Sequence, residues 1–269
     1  MKNHGYLFIG LTAFFAILLL NGCGEAEKAE PPAPKAASVE VRFTTEDGVE
    51  IYADYYKGKG DEPPAVILLH MRGADRKSWN PIIDKIVAKG YAVLALDMRG
   101  HGKSTKKGDE TLDYRDFGRE GGPPWWECKN DVHAAREFLT GKGIDKDRIA
   151  IIGASVGCTI GVHYAAVDNG VKGLILLSPV IEIDESVVQA AASLKDRRVY
   201  IYCSKDDDRG GSPDSAKKFE EHFKGGGARV TLHPAFEGSD HGTAMLGKKY
   251  GDVDVNEQII KELDSILKD

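Results

Sequence analysis

The hydrophobic residues from Val39 onward fall into short apolar runs and into longer stretches with helical spacing. Short runs bounded by glycine, proline or charged residues are typical of strands, and apolar positions at i, i+3 and i+4 predict helices. The predicted strands are Val39–Thr44, Val49–Tyr56, Ala65–Leu69, Tyr91–Leu96, Ile149–Gly153, Leu174–Leu177, Val199–Tyr202 and Arg229–His233. The predicted helices are Trp79–Ala88, Asp131–Leu139, Val156–Val167, a stretch near Glu185–Leu194, Asp214–Phe223 and Asn256–Leu267.

The order of these elements predicts a single α/β domain. The first two strands are separated by Glu46-Asp47-Gly48, which supplies the turn of an antiparallel hairpin. The later strands are mostly joined by helices, and helical crossovers connect parallel strands. We therefore expect a mostly parallel, eight-stranded sheet with helices on both faces. Only about 20 residues separate Leu177 from Val199, so we expect no large lid domain there.

The first 38 residues have a different character. An uncharged run from Tyr6 to Leu20 follows Lys2, and polar sequence follows the run, as in a secretion signal. As a helix the run would reach about 22 Å, which is short of a hydrocarbon core of about 30 Å. Residues 25–38 are rich in alanine, proline and charge, so we expect them to form a flexible tether.

The junction Leu20-Asn21-Gly22-Cys23 resembles the lipobox of bacterial lipoproteins, in which the cysteine is lipid-modified. The resemblance implies a signal peptide at residues 1–22, an acylated Cys23 with a tether at residues 23–38, and a domain at residues 39–269. It also implies a protein anchored by lipid to a membrane of the bacterial cell envelope. An ordinary signal peptide cut near Gly22, or an uncleaved anchor, is the alternative.

Composition excludes several classes of protein and of partner. The 269 residues include 36 Lys+Arg and 42 Asp+Glu, a net charge of -6 that excludes a strongly basic nucleic-acid-binding chain. Four cysteines without a Cys-x-x-Cys pair or a Cys/His cluster predict neither a disulfide scaffold nor a metal site. Because an acidic surface is not drawn to anionic phospholipid, we expect membrane contact through the lipid anchor and not through a basic patch.

The pentapeptide Gly153-Ala154-Ser155-Val156-Gly157 lies between a predicted buried strand and a predicted helix. This strand, turn and helix arrangement is what a nucleophile elbow requires, and the helix N-terminus favours developing negative charge. A serine needs a base and a residue that orients the base. Two later strands end in loops that supply them, one holding Asp206, Asp207 and Asp208 and the other holding His241.

Jointly these features resemble the α/β-hydrolase superfamily, in particular its dienelactone-hydrolase-like and esterase-like bacterial members. Further support comes from the turn after His70 and from the loop residues 97–104 (DMRGHGKS). The resemblance implies Ser155 as nucleophile and His241 as general base and then general acid. It implies an aspartate that orients His241, and we prefer Asp206 over Asp207 or Asp208 from its place after the strand end.

The resemblance also implies an oxyanion hole made of two backbone N–H groups. One belongs to Val156, and the other comes from the turn after His70, with Arg72 preferred and Met71 as the alternative. In the family this turn usually begins His-Gly, whereas here Met71 follows His70. We expect His70 and His101 to be structural residues of the turns around the site.

We therefore expect a serine hydrolase that cleaves small carboxylic esters through an acyl-enzyme, without a cofactor or a metal. A peptidase or amidase on the same fold is the enzymatic alternative. A non-catalytic envelope binding protein that keeps the fold is the alternative from a different class.

Overall fold

The structure, a computed structural model, describes residues 1–2, 35–181 and 186–268. The predicted signal peptide, Cys23 and most of the predicted tether lie outside the described residues, as does the start of the helix predicted near Glu185. Among the described residues, no helix is long and apolar enough to cross a membrane.

The chain alternates between strands and helices as the hydrophobic pattern predicts. Ten strands share one sheet: β1 (Val39–Thr44), β2 (Val49–Tyr56), β3 (Ala65–Leu69), β4 (Ala92–Leu96), β5 (Lys106–Lys107), β6 (Glu110–Thr111), β7 (Ile149–Ala154), β8 (Val171–Leu177), β9 (Arg198–Tyr202) and β10 (Arg229–Leu232). A separate hairpin is formed by β11 (Lys249–Tyr250) and β12 (Val253–Asp254). The α-helices are α1 (Asn80–Ala88), α2 (Lys129–Gly141), α3 (Val156–Val167), α4 (Val187–Ala191), α5 (Pro213–Gly225) and α6 (Val255–Leu267).

The sheet is mostly parallel, with an antiparallel end. Its order is β10-β9-β8-β7-β3-β4-β2-β5-β6, and β1 pairs with β2 as the predicted antiparallel hairpin. The six strands from β10 to β4 are parallel to their neighbours. The eight predicted strands are confirmed, with ends that differ by at most three residues. The two-residue strands β5, β6, β11 and β12 were not predicted, because pairs this short carry no hydrophobic period.

Helices cover both faces of the sheet, and alternation along the strands builds a hydrophobic core on each face. In β3, for example, Ile67 and Leu69 join the cluster beneath α2, α3, α4 and α5, whereas Val66 and Leu68 join the cluster beneath α1 and α6. All five residues of β3 are buried, as expected for a central parallel strand covered on both sides.

Two buried ion pairs hold the loop that follows β4. The carboxylate of Asp97 accepts the backbone N–H groups of Arg76 and Lys103, both at 2.9 Å, and also pairs with the Arg76 guanidinium. The Arg99 guanidinium donates to Asp131 of α2 at 2.7 Å. Because Asp97 and Asp131 are almost fully buried, removing Arg76 or Arg99 would leave a buried carboxylate without its cation, at a cost of about 3–5 kcal/mol.

Candidate active site

Ser155 occupies a tight turn between β7 and α3. Its backbone has φ 51° and ψ -116°, a strained conformation that non-glycine residues rarely adopt, and the residue is buried. The neighbouring glycines are required by close backbone contacts, because a Cβ on Gly157 would lie 2.2 Å from the carbonyl oxygen of Leu69. A Cβ on Gly153 would lie 2.5 Å from the carbonyl oxygen of Gly157. The turn therefore has the geometry that the Gly-x-Ser-x-Gly pattern predicts.

His241 and Asp207 form a buried hydrogen-bonded pair. The ring Nδ1 of His241 lies 2.7 Å from Oδ2 of Asp207, and both side chains are almost fully shielded from solvent. The second carboxylate oxygen of Asp207 accepts the backbone N–H of Arg209 at 3.0 Å. A carboxylate held in this way keeps the histidine proton on Nδ1 and leaves Nε2 free to accept a proton.

The structure contradicts the prediction that Asp206 is the partner of His241. The alternative, Asp207, makes that hydrogen bond. Asp206 is exposed, and its backbone N–H donates to the carbonyl of Gly238 at 3.0 Å. An isolated parallel bridge between Ser204 and Phe236 extends the pairing beyond β9. Beyond this bridge the Lys205 N–H donates to the Phe236 carbonyl at 2.8 Å, and the first carboxylate that is buried in the loop is that of Asp207. Asp208 is exposed as well.

The loop that carries His241 lies against the Ser155 turn. A Cβ on Gly242 would lie 3.2 Å from the Cβ of Ala154, the residue before Ser155, and 3.2 Å from the Sδ of Met71. No hydrogen bond joins Ser155 to His241 in the structure. Such contacts are often long in unliganded enzymes and shorten when substrate binds.

Ser178 follows the last residue of β8 and contacts both the loop that carries His241 and the loop that carries Asp207. The sequence analysis did not select it. It is fully buried with φ 53°, and its Oγ accepts the backbone N–H of Gly242 at 3.0 Å. It also touches the loop of the acid, because a Cβ on Gly211 would lie 2.4 Å from the Ser178 Cβ and 2.6 Å from Oδ2 of Asp207. The only available signal was a serine directly after a buried strand, which is too common to single out.

The three backbone N–H groups that the sequence analysis considered for the oxyanion hole, those of Val156, Met71 and Arg72, have no hydrogen-bond acceptor among the described residues. The Met71 carbonyl accepts the His70 ring Nδ1–H at 2.8 Å and the Ala74 N–H at 3.1 Å. In a trans peptide the N–H points opposite to the carbonyl, so the Arg72 N–H is turned away from His70. The choice of Arg72 over Met71 as the second donor stays a prediction.

His70 and His101 form a buried pair next to this turn, which agrees with the structural role expected for them. The His70 ring accepts the Met98 N–H at Nε2 while its Nδ1 donates to Met71, an arrangement that requires the neutral ring. Burial lowers the pKa of His70 to about 4, and it does the same to the pKa of His101, whose ring packs edge-on against His70.

Aromatic residues flank the turn that carries Arg72. Trp125 is buried and packs against Phe117 and His101, whereas Trp126 is 41% exposed. The Arg72 guanidinium lies 6.0 Å from the centre of the Trp125 ring. No group of three or more His, Cys, Asp or Glu that could hold a metal ion occurs among the residues that the structure describes.

Comparison with known proteins agrees with this architecture. Residues 64–223 match the family model of the α/β-hydrolase fold, and this stretch includes Ser155 and Asp207. The chain therefore belongs to the α/β-hydrolase fold family. It is also similar to solved structures of an esterase from Pyrococcus furiosus (TM-score 0.66, 20% identity, covering 87% of this chain and 92% of the other) and of a carboxyl esterase from Bacillus coagulans (TM-score 0.66, 16% identity, 87% and 100%). At these identities the similarity concerns the fold alone.

Two curated relatives match part of the chain. Protein phosphatase methylesterase 1 of Mus musculus is 28% identical over 157 residues, which are 58% of this chain and 36% of the mouse protein. The 2-hydroxy-6-oxo-6-(2'-aminophenyl)hexa-2,4-dienoic acid hydrolase of Metapseudomonas resinovorans is 31% identical over 170 residues, which are 60% of this chain and 51% of that enzyme. The chain thus spans between about a third and a half of the length of these relatives.

Proposed function

We propose that this protein is a serine hydrolase that cleaves carboxylic esters through an acyl-enzyme. The observation that carries the proposal is the buried Asp207–His241 pair, held against a strained serine at a helix N-terminus. A histidine shielded from solvent and oriented by a carboxylate is suited to accept a serine proton. The esterase relatives in the same fold family support the ester as substrate.

The proposed reaction gives each of these groups one role. Ser155 Oγ attacks the ester carbonyl carbon, and His241 Nε2 takes the serine proton. The tetrahedral oxyanion accepts hydrogen bonds from the N–H groups of Val156 and Arg72. The carbon–oxygen bond to the alcohol breaks as His241 returns the proton to the departing oxygen. A water, deprotonated by His241, then attacks the acyl-enzyme and releases the carboxylic acid and free Ser155.

The open surroundings favour small esters. Within the described residues no inserted domain covers the carboxyl ends of the strands, so a bound acyl group would stay close to solvent. Long acyl chains need an apolar cover to leave water, and short ones do not. Hydrolysis should therefore be fastest with short-chain esters.

The test is turnover of p-nitrophenyl esters of graded chain length by the full protein and by the variants Ser155→Ala and His241→Ala. We expect the wild type to hydrolyse acetate or butyrate esters and each variant to lose about 10⁴-fold or more in kcat. Matched p-nitroanilides test the amidase alternative. A folded wild-type protein without turnover above background would favour the binding-protein alternative.

We also propose where the protein is located in the cell. Cys23 becomes lipid-modified, residues 23–38 tether the domain, and the protein is held at a membrane of the bacterial cell envelope. The support is the sequence around Cys23, together with the polar composition of residues 25–38.

A further inference from the structure

The edge of the sheet opposite to the candidate active site is strongly basic. Here this edge is named the basal edge. It consists of the segments that meet at the amino ends of the parallel strands: residues 57–64, 89–91, 142–148, 168–172, 195–198, 224–229 and 268. They contain thirteen lysines and arginines and six aspartates and glutamates, in a chain whose net charge is -6. The remaining surface is therefore acidic, and the molecule is electrically polarised.

These segments form one continuous surface. Lys59 N–H donates to the Gly90 carbonyl at 2.9 Å, and the Arg148 guanidinium donates to the Glu62 carbonyl at 3.0 Å. Further along the sheet, strand pairing places Arg229 of β10 beside Arg198 of β9, and Arg198 beside Gly173 of β8. Basic side chains that are scattered along the sequence are thus brought to one edge of the fold.

Among the residues that the structure describes, three of these arginines form no ion pair with a carboxylate. Their guanidinium groups donate to backbone carbonyls: Arg148 to Glu62, Arg197 to Asn169 and Arg229 to Asp196. A carbonyl satisfies an N–H donor but carries no net charge. A concavity of about 750 Å³ opens among them, and its described lining includes six basic and two acidic residues.

The amino-terminal segment enters the sheet above this edge, at the level of the middle of β3 and β4. Val39, the first residue of β1, pairs with Tyr55, and Tyr55 pairs with Leu94 of β4. The register then leads through Ile67 to Ile151, in the lower half of the parallel strands. The row that contains Arg198 and Arg229 lies one residue, about 3.3 Å, below this level.

We propose that the basal edge is a docking surface for an anionic phospholipid bilayer. The breadth of the charged area suits a flat surface better than a single small anion, and each basic residue near such a surface adds to the attraction. A tether of about 16 residues that ends at Val39 would keep the whole domain, and with it the basal edge, near the bilayer at high effective concentration. The candidate active site, at the carboxyl ends of the strands, then faces away from the membrane toward soluble substrates. This proposal revises the expectation that only the lipid anchor contacts the membrane.

The experiment is vesicle flotation of the full chain with phosphatidylcholine vesicles that contain or lack phosphatidylglycerol. Any binding contributed by the apolar run Tyr6 to Leu20 is common to both kinds of vesicle, so the difference between them isolates the electrostatic contribution. The basal variant combines Lys146→Gln, Lys172→Gln and Lys195→Gln. The control variant removes the same charge from the other end of the domain by Lys77→Gln, Lys106→Gln and Lys217→Gln. All six lysines are exposed, and thermal unfolding checks that both variants fold.

We expect the wild type and the control variant to prefer the phosphatidylglycerol vesicles, and we expect about 1 M salt to remove the preference. The basal variant should bind these vesicles on the order of 100-fold more weakly. Equal binding to both vesicle types, or equal loss in both variants, would overturn the proposal. Competition by millimolar inorganic phosphate at matched ionic strength would also overturn it, because it would indicate a small-anion site.

Discussion

Replacing Asp207 by asparagine tests the site more sharply than any deletion, because it changes charge and proton position while keeping shape. The carboxylate is fully buried, with one oxygen on the Arg209 N–H at 3.0 Å and the other 2.7 Å from Nδ1 of His241. In Asp207→Asn the amide oxygen would accept the Arg209 N–H, so the amide NH₂ would face His241. That NH₂ donates to Nδ1 and moves the ring proton to Nε2, where it blocks acceptance of the Ser155 proton.

The expected loss is about 10³–10⁴-fold in kcat, equivalent to about 4–5.5 kcal/mol of transition-state stabilisation. The matched control is Asp206→Asn, which makes the same chemical change one residue earlier on an exposed side chain. We expect its kcat to change less than about 2-fold, because its backbone bond to Gly238 is kept.

The assay is steady-state hydrolysis of p-nitrophenyl acetate by both variants, with thermal unfolding as the check of folding. The reasoning is refuted if Asp206→Asn loses as much activity as Asp207→Asn. It is equally refuted if the Asp207 variant keeps more than about a tenth of the wild-type kcat.

Three further predictions concern the His70–His101 pair, Ser178 and Cys23. Burial lowers the pKa of His70 and of His101 to about 4, so the unfolded chain binds more protons at these histidines between pH 6.5 and 4; burial also raises the pKa of Asp131 to about 6, which offsets about a third of this effect. The free energy of unfolding should therefore fall by about 2 kcal/mol from pH 7 to pH 5, and equal urea midpoints at the two pH values would contradict this. Ser178→Ala leaves the Gly242 N–H without its acceptor, so kcat should fall about 10-fold with little change in KM, and an unchanged kcat would exclude a positioning role. Cys23→Ser should release the protein from the bacterial membrane fraction in high salt, and retention as firm as that of wild type would refute the lipid anchor.

Much of the fold could be predicted because its determinants are local and repetitive. Buried parallel strands such as β3 read as continuous apolar runs, and the helices between them show apolar spacing that fits one covered face. The elbow was predictable for a different reason. The backbone of Gly157 lies so close to that of Leu69 that no side chain fits there. The position therefore requires glycine, and this requirement can be recognised in the sequence.

The partner of His241 could not be predicted because it depends on where β9 stops pairing. Three consecutive aspartates follow the strand end, and only the path of the loop after the Ser204 bridge leaves Asp207 buried and Asp206 and Asp208 exposed. The role of Ser178 was equally hidden, since its contact with Gly242 spans 64 residues.

The charge of the basal edge was missed because net charge is a sum over the whole chain. The topology gathers lysines from helix C-termini, such as Lys89 and Lys224, where the helix dipole favours them. It places them beside the arginines that begin β9 and β10. Only the strand order shows that these residues meet.

The central claim is that Ser155 is an activated nucleophile, and covalent labelling by a fluorophosphonate tests it most directly. The reagent forms a phosphonyl ester with an activated serine and requires no knowledge of the natural substrate. We predict that the intact mass of the wild-type protein increases by one adduct, which peptide mapping assigns to Ser155, and that Ser155→Ala gains none. A folded wild-type protein that stays unlabelled, or a variant that labels equally, would contradict the account.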